Sequence, residues 1–406
     1  MAVVVAITSC HDVACQSPAA PFPGGCRTLP VRSPNMATMR AARLHEVGGK
    51  FQIDEIEKPV PGDQDVIVRV EAAAIVQNLR NVINTYPTVK PFLPLPQLPA
   101  VFGMDSAGVI TEVGSRVRNL KPGDRVYINP GLDSGDSWAA RNGEPMNDPA
   151  YTFMGYFGFG PDSAEIHKDY PYGGLAEYVK APVKNVIVIP ENVPLDHATR
   201  FGYLGTAYSG LRKGDVRAGS SVLIHGATGT LGVNAVLLAR AMGATQIFAV
   251  ARNKERLERV RQIDPARIKV LSFGEQEVGE WVRSHTDGRG VDVFLDATGD
   301  TATADVTMAG IWALRRGGRM VSIGAMPEDL PIPMYRLMTM HISIIGSLWF
   351  TTAEGEDMAR MAAAGTLDLS HLDAYHFPLE QANEAVQAAA NHRDGGFASV
   401  IVQPHK

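Results

Sequence analysis

The stretch Ser221 to Gly232, SVLIHGATGTLG, constrains this chain more than any other. An apolar strand runs into a glycine-rich turn that opens the helical pattern VNAVLLARAMGA. Ala227, Gly229 and Gly232 take the positions of a GxGxxG pattern with Ala for the first Gly, and Gly226 adds freedom to the turn. Small residues at this spacing let backbone N–H groups and the positive end of a helix approach a pyrophosphate. A lone glycine pattern is weak, but this one follows a strand and opens a helix within a repeating strand–helix region. Ala227, Thr228, Gly229, Thr230, Leu231 and Gly232 are therefore read as a dinucleotide-binding turn rather than a mere tight turn.

The alternation continues beyond the turn. Helical patterns at Val233–Met242, Lys254–Gln262 and Thr303–Leu314 separate apolar runs at Gln246–Ala251, Val291–Asp296, Arg319–Ile323 and Ile342–Ser347. This predicts an α/β Rossmann fold, a doubly wound parallel sheet over 186–346. Before it the chain is β-rich, with period-two runs at Arg40–Leu44, Phe51–Glu57, Asp65–Ala74, Ala107–Val113, Arg125–Ile128 and Gly174–Ala181. The stretch Pro130–Pro171 has little periodicity and reads as a long excursion. A helix at Leu379–Asn391 and a strand at Ala398–Val402 close the chain and resemble its first region again.

An acid about 20 residues past the glycines ordinarily bonds the ribose 2′-hydroxyl of NAD(H). Here the second strand ends in Ala251 and continues Arg252, Asn253, Lys254. A 2′-phosphate needs charge-assisted donors, so NADP(H) is the expected cofactor, with Arg252 as main contact and Asn253 and Lys254 in support. A solvated helix start is the bland alternative.

The 406 residues carry 38 Lys plus Arg against 43 Asp plus Glu, a net charge of −5 that offers nucleic acid no basic footprint. No apolar run is long enough to span a bilayer. A soluble, cytoplasmic protein is expected. The only three cysteines, Cys10, Cys15 and Cys26, precede residue 27, so the folded body has no thiolate for a disulfide framework, a nucleophile or a structural zinc cluster. Residues 1–36 lack periodicity and a basic n-region, and read as a disordered leader rather than a signal peptide, with Met36 or Met39 as alternative starts.

Several motifs together carry a family resemblance: MRAARLHEVGGKFQIDEIEKPVPGDQDVIVRVEAAAI, VFGMDSAGVITEVGSRVRNLKPGDRV, GGLAEYV, GTAYSGL and DATGD. The chain resembles the medium-chain dehydrogenase/reductase superfamily, which holds zinc alcohol dehydrogenases and zinc-free quinone oxidoreductases. The resemblance implies a GroES-like catalytic domain over 37–185 and 347–406, the Rossmann domain inserted before the return, and an active site in the cleft between them. It also assigns Thr206 and Gly324, Ala325 and Met326 to the cofactor side, and implies a homodimer or homotetramer.

In zinc members of that family a Cys, a His-Glu pair and a second Cys surround the metal. The matched positions here are Val76, Met104 with Asp105, and Gly202. Val and Gly offer no side-chain donor, and a thioether beside one carboxylate is a poor set for Zn²⁺, so no metal is expected. Hydrogen-bond donors must then polarise the substrate oxygen. The candidates are Gln77, Asn78 and Asn81, with Tyr86 or a water as proton source. Asp105 is expected to bond neighbouring amides or Arg80. Met104, Asp105, Tyr156 and Trp349 are placed at the substrate pocket; the aromatics Tyr151, Phe153, Tyr156, Phe157 and Phe159 either wall it or, as irregular spacing more often means, pack the excursion onto the core. His167 to Tyr170 form a polar cluster that reads as surface-exposed or as a secondary proton-relay candidate.

The expected activity is zinc-independent, NADP(H)-dependent alcohol oxidation or carbonyl reduction on a small molecule, because the long excursion is retained. Reduction of an enone or quinone double bond is the second reading, and cofactor binding without turnover the third.

Overall fold

The computed structural model describes residues 37–391 and 394–406. The leader assigned to residues 1–36 lies outside them. Residues 37–406 form one unit, built from a β-rich part and a parallel α/β part.

One strand organises the β-rich part. Asp65–Ala74 pairs along its length with Asp105–Val113 on one side. On the other it pairs first with Tyr178–Pro182 and then, at Ala73 and Ala74, with the tail strand Ala398–Gln403. Register shifts at Ile67/Val68 and Val70/Ala72 let the ten residues bend between these partners. Its inward side chains, Val66, Val68 and Val70, are fully buried with Ile110, Val126 and Val179. Because Ala74 pairs with both Asp105 and Ile401, the chain leaves this strand at Ile75–Asn78 beside Asp105 and beside the tail. That junction positions the site.

The sheet of the α/β part has the order Ile268–Ser272, Gln246–Ala251, Ser221–His225, Val291–Asp296, Leu314–Ser322, Ser343–Gly346, all parallel. In sequence terms this is 3-2-1-4-5-6, the doubly wound order expected of two mononucleotide-binding halves. Alternate side chains go to opposite faces. Val222 and Ile224 pack under the helices Phe201–Lys213 and Thr230–Ala241, while Leu223, Phe248 and Phe294 pack with Trp281 and Ile311 on the other face. Each such fully buried side chain contributes roughly 1.5–3 kcal/mol.

Several boundaries differ from the sequence reading. Val186–Val188 pairs with Arg125–Ile128, so the β-rich sheet runs past residue 185 before the α/β part begins. The helical pattern at Thr303–Leu314 is a helix over Ala304–Trp312, and the following strand starts early, at Leu314, despite Gly317 and Gly318. The strand Asp373–Pro378 has no alternation to betray it; it exists because its neighbour Ala398–Gln403 offers a parallel edge. Within the excursion, the short helices Trp138–Arg141 and Ser163–Asp169 and the pair Gly131–Leu132 with Thr152–Phe153 replace a plain loop. No helix among the described residues is long and apolar enough to cross a membrane.

Candidate active site

The dinucleotide turn has the geometry its residue types anticipate. Gly226 sits at φ +71°, a left-handed conformation that favours glycine. A Cβ on Gly232 would fall 2.1 Å from the Gly226 carbonyl oxygen, so glycine is what lets the helix press against the turn. Gly229 is the N-cap of Thr230–Ala241 and has no side chain, so no side chain caps the first N–H groups of that helix. The Thr230 hydroxyl is buried without a hydrogen-bond partner. These features fit the pyrophosphate of a dinucleotide.

The remaining cofactor-side residues lie at the carboxyl ends of the sheet. Gly324, Ala325 and Met326 leave the strand Leu314–Ser322, with the Gly324 N–H donating to the Asp296 carbonyl at 3.0 Å and Ala325 N–H to the Thr298 carbonyl at 2.9 Å. Asp296 fixes the adjacent turn through Thr298 and Thr307 hydroxyls, each at 2.6 Å. Thr206 is buried and its hydroxyl returns to the Gly202 carbonyl at 2.9 Å. Arg252 is exposed at the end of Gln246–Ala251, with one long bond, 3.4 Å, to the Thr301 hydroxyl. Asn253 and Lys254 are already engaged: Asn253 caps its helix by accepting from Arg256 N–H at 2.8 Å, and Lys254 pairs with Glu275 at 2.5 Å.

The positions that hold zinc in metal-dependent relatives are filled differently. Val76 and Met104 are buried side chains of the core. Asp105 is wholly buried, and a Cβ on Gly202 would fall 2.1 Å from its Oδ1, so the carboxylate occupies the space into which a residue-202 side chain would project. The Tyr127 hydroxyl donates to Asp105 Oδ1 at 2.6 Å, while Oδ2 has no partner. The partner of Asp105 is thus Tyr127, not the neighbouring amides or Arg80. Burial pushes its carboxyl up to about 7, against the pull of the Tyr127 bond and the charge of Arg200. Among the described residues no group of three or more His, Cys, Asp or Glu is placed to hold a metal ion. An apolar branch, a thioether, a tyrosine-bound carboxylate and a glycine do not fit catalytic zinc.

The polar groups nearest these positions form a chain. Asn78 is the N-cap of Leu79–Asn84 yet makes no side-chain capping bond, so its amide is free for other partners. The Tyr156 hydroxyl donates to Asn78 Oδ1 at 2.5 Å, and Asn78 Nδ2 donates to the Tyr86 hydroxyl at 3.4 Å. Tyr156 is buried, which raises its phenol well above the ordinary range; Tyr86 is half-buried, with the Lys90 ammonium 4.6 Å from its ring centroid. Gln77 gives its backbone N–H to the Tyr203 hydroxyl at 3.3 Å. Asn81 is exposed, and its carbonyl accepts from the Thr85 hydroxyl and N–H.

Behind this chain stands an aromatic wall. Phe153 packs on Trp349 at 4.6 Å between centroids and on Phe157 and Phe159 at 5.8 and 5.2 Å, and Tyr156 stacks on Phe157 at 4.7 Å. Trp349 Nε1 is anchored on Asn129 at 2.9 Å. These aromatics of the excursion pack into the core, and none of them lines the cavity described below. His167, read from sequence as exposed, is buried with Nε2 unpartnered, and burial pulls its imidazole down to about 4.

A cavity of about 580 Å³ opens between the two parts of the molecule. Gln77, Arg200, Tyr203, Thr230 and Ser399 all line it. The tail closes one side: Gly396 N–H donates to the Thr228 carbonyl at 2.8 Å, and a Cβ there would fall 2.1 Å from the Gly229 oxygen. Arg200, Tyr203, Tyr127 and Ser399 escaped the sequence reading. Only Arg200 left a signal, a lone cation directly before the otherwise apolar start FGYLG.

Fold and cleft together define a nicotinamide-dependent oxidoreductase. Residues 62–191 match the alcohol dehydrogenase GroES-like domain and residues 230–364 the zinc-binding dehydrogenase family. An alcohol dehydrogenase of Geobacillus stearothermophilus is 30% identical over 331 residues, 80% of this chain and 90% of that one. Human sorbitol dehydrogenase is 26% identical, covering 84% of this chain and 89% of its own. Among solved structures, an NAD-dependent alcohol dehydrogenase superposes with a TM-score of 0.75 at 28% identity, over 90% of this chain and 100% of that one. The chain belongs to the medium-chain dehydrogenase/reductase superfamily.

Proposed function

We propose that this protein is a zinc-independent, NADP(H)-dependent alcohol dehydrogenase or carbonyl reductase. The observation that carries the reading is the contact between Asp105 and Gly202: the carboxylate fills the space where a metal ligand would enter, and Val76 and Met104 complete a set unsuited to Zn²⁺. When bound, the nicotinamide gives or takes the hydride.

The residues of the chain do the rest. Asn78 orients and polarises the substrate oxygen as a fixed amide dipole in a water-poor pocket. The hydrogen-bond chain runs from the Tyr156 hydroxyl through Asn78 to the Tyr86 oxygen, which among the described residues only accepts. The Tyr86 O–H is thus unspent, and it delivers the proton to the substrate oxygen during reduction and takes it back during oxidation. Trp349 and Phe153 keep the pocket apolar. Arg252, at the end of a strand with no acid following it, selects the 2′-phosphate.

The test is turnover of the purified protein with NADPH and a panel of ketones, aldehydes and enones, together with metal analysis. An allylic alcohol formed from an enone supports carbonyl reduction, and a saturated ketone assigns double-bond reduction instead. One stoichiometric zinc whose removal abolishes turnover overturns the metal-free reading.

A further inference from the structure

We infer that Arg200 is the buried charge that holds the cofactor pyrophosphate, acting with the amino end of the helix Thr230–Ala241 and the Thr230 and Ser399 hydroxyls. The inference rests on the dinucleotide reading above and names the side chains that this chain uses for it.

Three separate elements deliver polar groups to the same cavity. Arg200 precedes the helix Phe201–Lys213, Thr230 begins the helix after the glycine turn, and Ser399 lies on the tail strand. All three are buried, with relative exposures of 3%, 5% and 7%, and all three line the 580 Å³ cavity. Arg200 Nε, Thr230 Oγ1 and Ser399 Oγ each lack a hydrogen-bond partner. Buried polar atoms are nearly always paired, and leaving one unpaired is costly. Three buried residues with unpartnered polar atoms line this one cavity, beside a helix start that no side chain caps, and together they suit an occupant that accepts from several donors.

Charge narrows the occupant to an anion. Arg200 is buried, yet burial lowers its guanidinium only to about 10, so it is cationic at neutral pH. Its guanidinium donates to the Gly396 carbonyl, in the tail segment that packs on the glycine turn. The carboxylates that also line the cavity, Glu384 and Asp394, are exposed and half-buried respectively, and Asp394 is taken by the Tyr375 hydroxyl. Negative charge therefore belongs beside the buried Arg200 and Thr230. A pyrophosphate bears two charges there, matching one guanidinium plus the partial positive charge of the helix end.

The experiment compares wild type with Arg200→Gln and Arg200→Lys by titrating NADPH fluorescence and, separately, 2′-AMP, which carries the 2′-phosphate but no pyrophosphate. Arg200→Gln is expected to weaken NADPH binding about 10- to 100-fold while 2′-AMP affinity stays unchanged. Arg200→Lys retains part of the affinity. On wild type alone, inorganic pyrophosphate competes with NADPH and not with 2′-AMP, a result that stands even where a variant fails to fold. NADPH affinity in folded Arg200→Gln within threefold of wild type, or no competition by pyrophosphate, overturns the inference and leaves the dinucleotide reading intact. Wild type that binds neither NADPH nor NADH overturns both.

Discussion

Asp105 Oδ1 and the α-carbon of Gly202 are so close that a Cβ at position 202 would lie 2.1 Å from the oxygen. The two residues come from different elements, a strand of the β-rich sheet and the helix leading into the α/β part, and their contact seals the junction between them. Gly202→Ala forces the carboxylate away from the Tyr127 hydroxyl. Overpacking of this kind costs about 1–3 kcal/mol, to be read as a lower urea midpoint. Gly202→Cys is expected to be no milder and to bring no zinc, because Val76 and Met104 still supply no ligand set for it.

The Tyr156–Asn78–Tyr86 chain predicts an order of effects. Tyr86→Phe removes the proton itself and should lower kcat by about 10²- to 10⁴-fold, the usual scale for a positioned acid. Tyr156→Phe removes only the group that orients Asn78 and should cost less. NADPH affinity should be unchanged in both, and a Tyr86→Phe enzyme with unaltered kcat would leave a bound water as the proton source.

Arg252 is exposed and weakly held, so its removal leaves the fold alone. Arg252→Ala should weaken NADPH about 10-fold or more, the scale of a lost charge-assisted bond, with NADH affinity little changed. Equal losses for both cofactors would show that the 2′-phosphate is read elsewhere.

What the sequence made legible was local. The strand–turn–helix at Ser221–Gly232 carries its own explanation, since each small residue answers a close backbone approach within twelve positions. Val76, Met104 and Gly202 were found because they stand at fixed places in motifs. Arg200, Tyr127 and Ser399 were not, because each gains its role only when a distant element arrives: Tyr127 through the pairing of Ser106 with Ile128, Ser399 through Ile401 beside Ala74. For the same reason Asp105 was assigned to neighbours in sequence, whereas its partner is across the sheet.

The position of Asp105 also predicts a pH dependence of stability. Its carboxyl is raised in the folded state from the ordinary 3.8 to about 7. Between those values the folded protein holds a proton that the unfolded chain has released, so stability falls as pH rises across this window and is level above it. The full penalty is roughly 4 kcal/mol. Two buried histidines act in the opposite sense: burial lowers His167 and His225 to about 4, so protonation favours the unfolded chain as pH drops below 6.5. The measured profile is the sum, and the Asp105 share is isolated by Asp105→Asn, which keeps the shape and cannot ionise. Urea unfolding of wild type and variant from pH 5 to 8 should show the variant gaining on wild type steadily up to pH 7. A difference independent of pH would mean that Asp105 stays ionised throughout, held by Arg200.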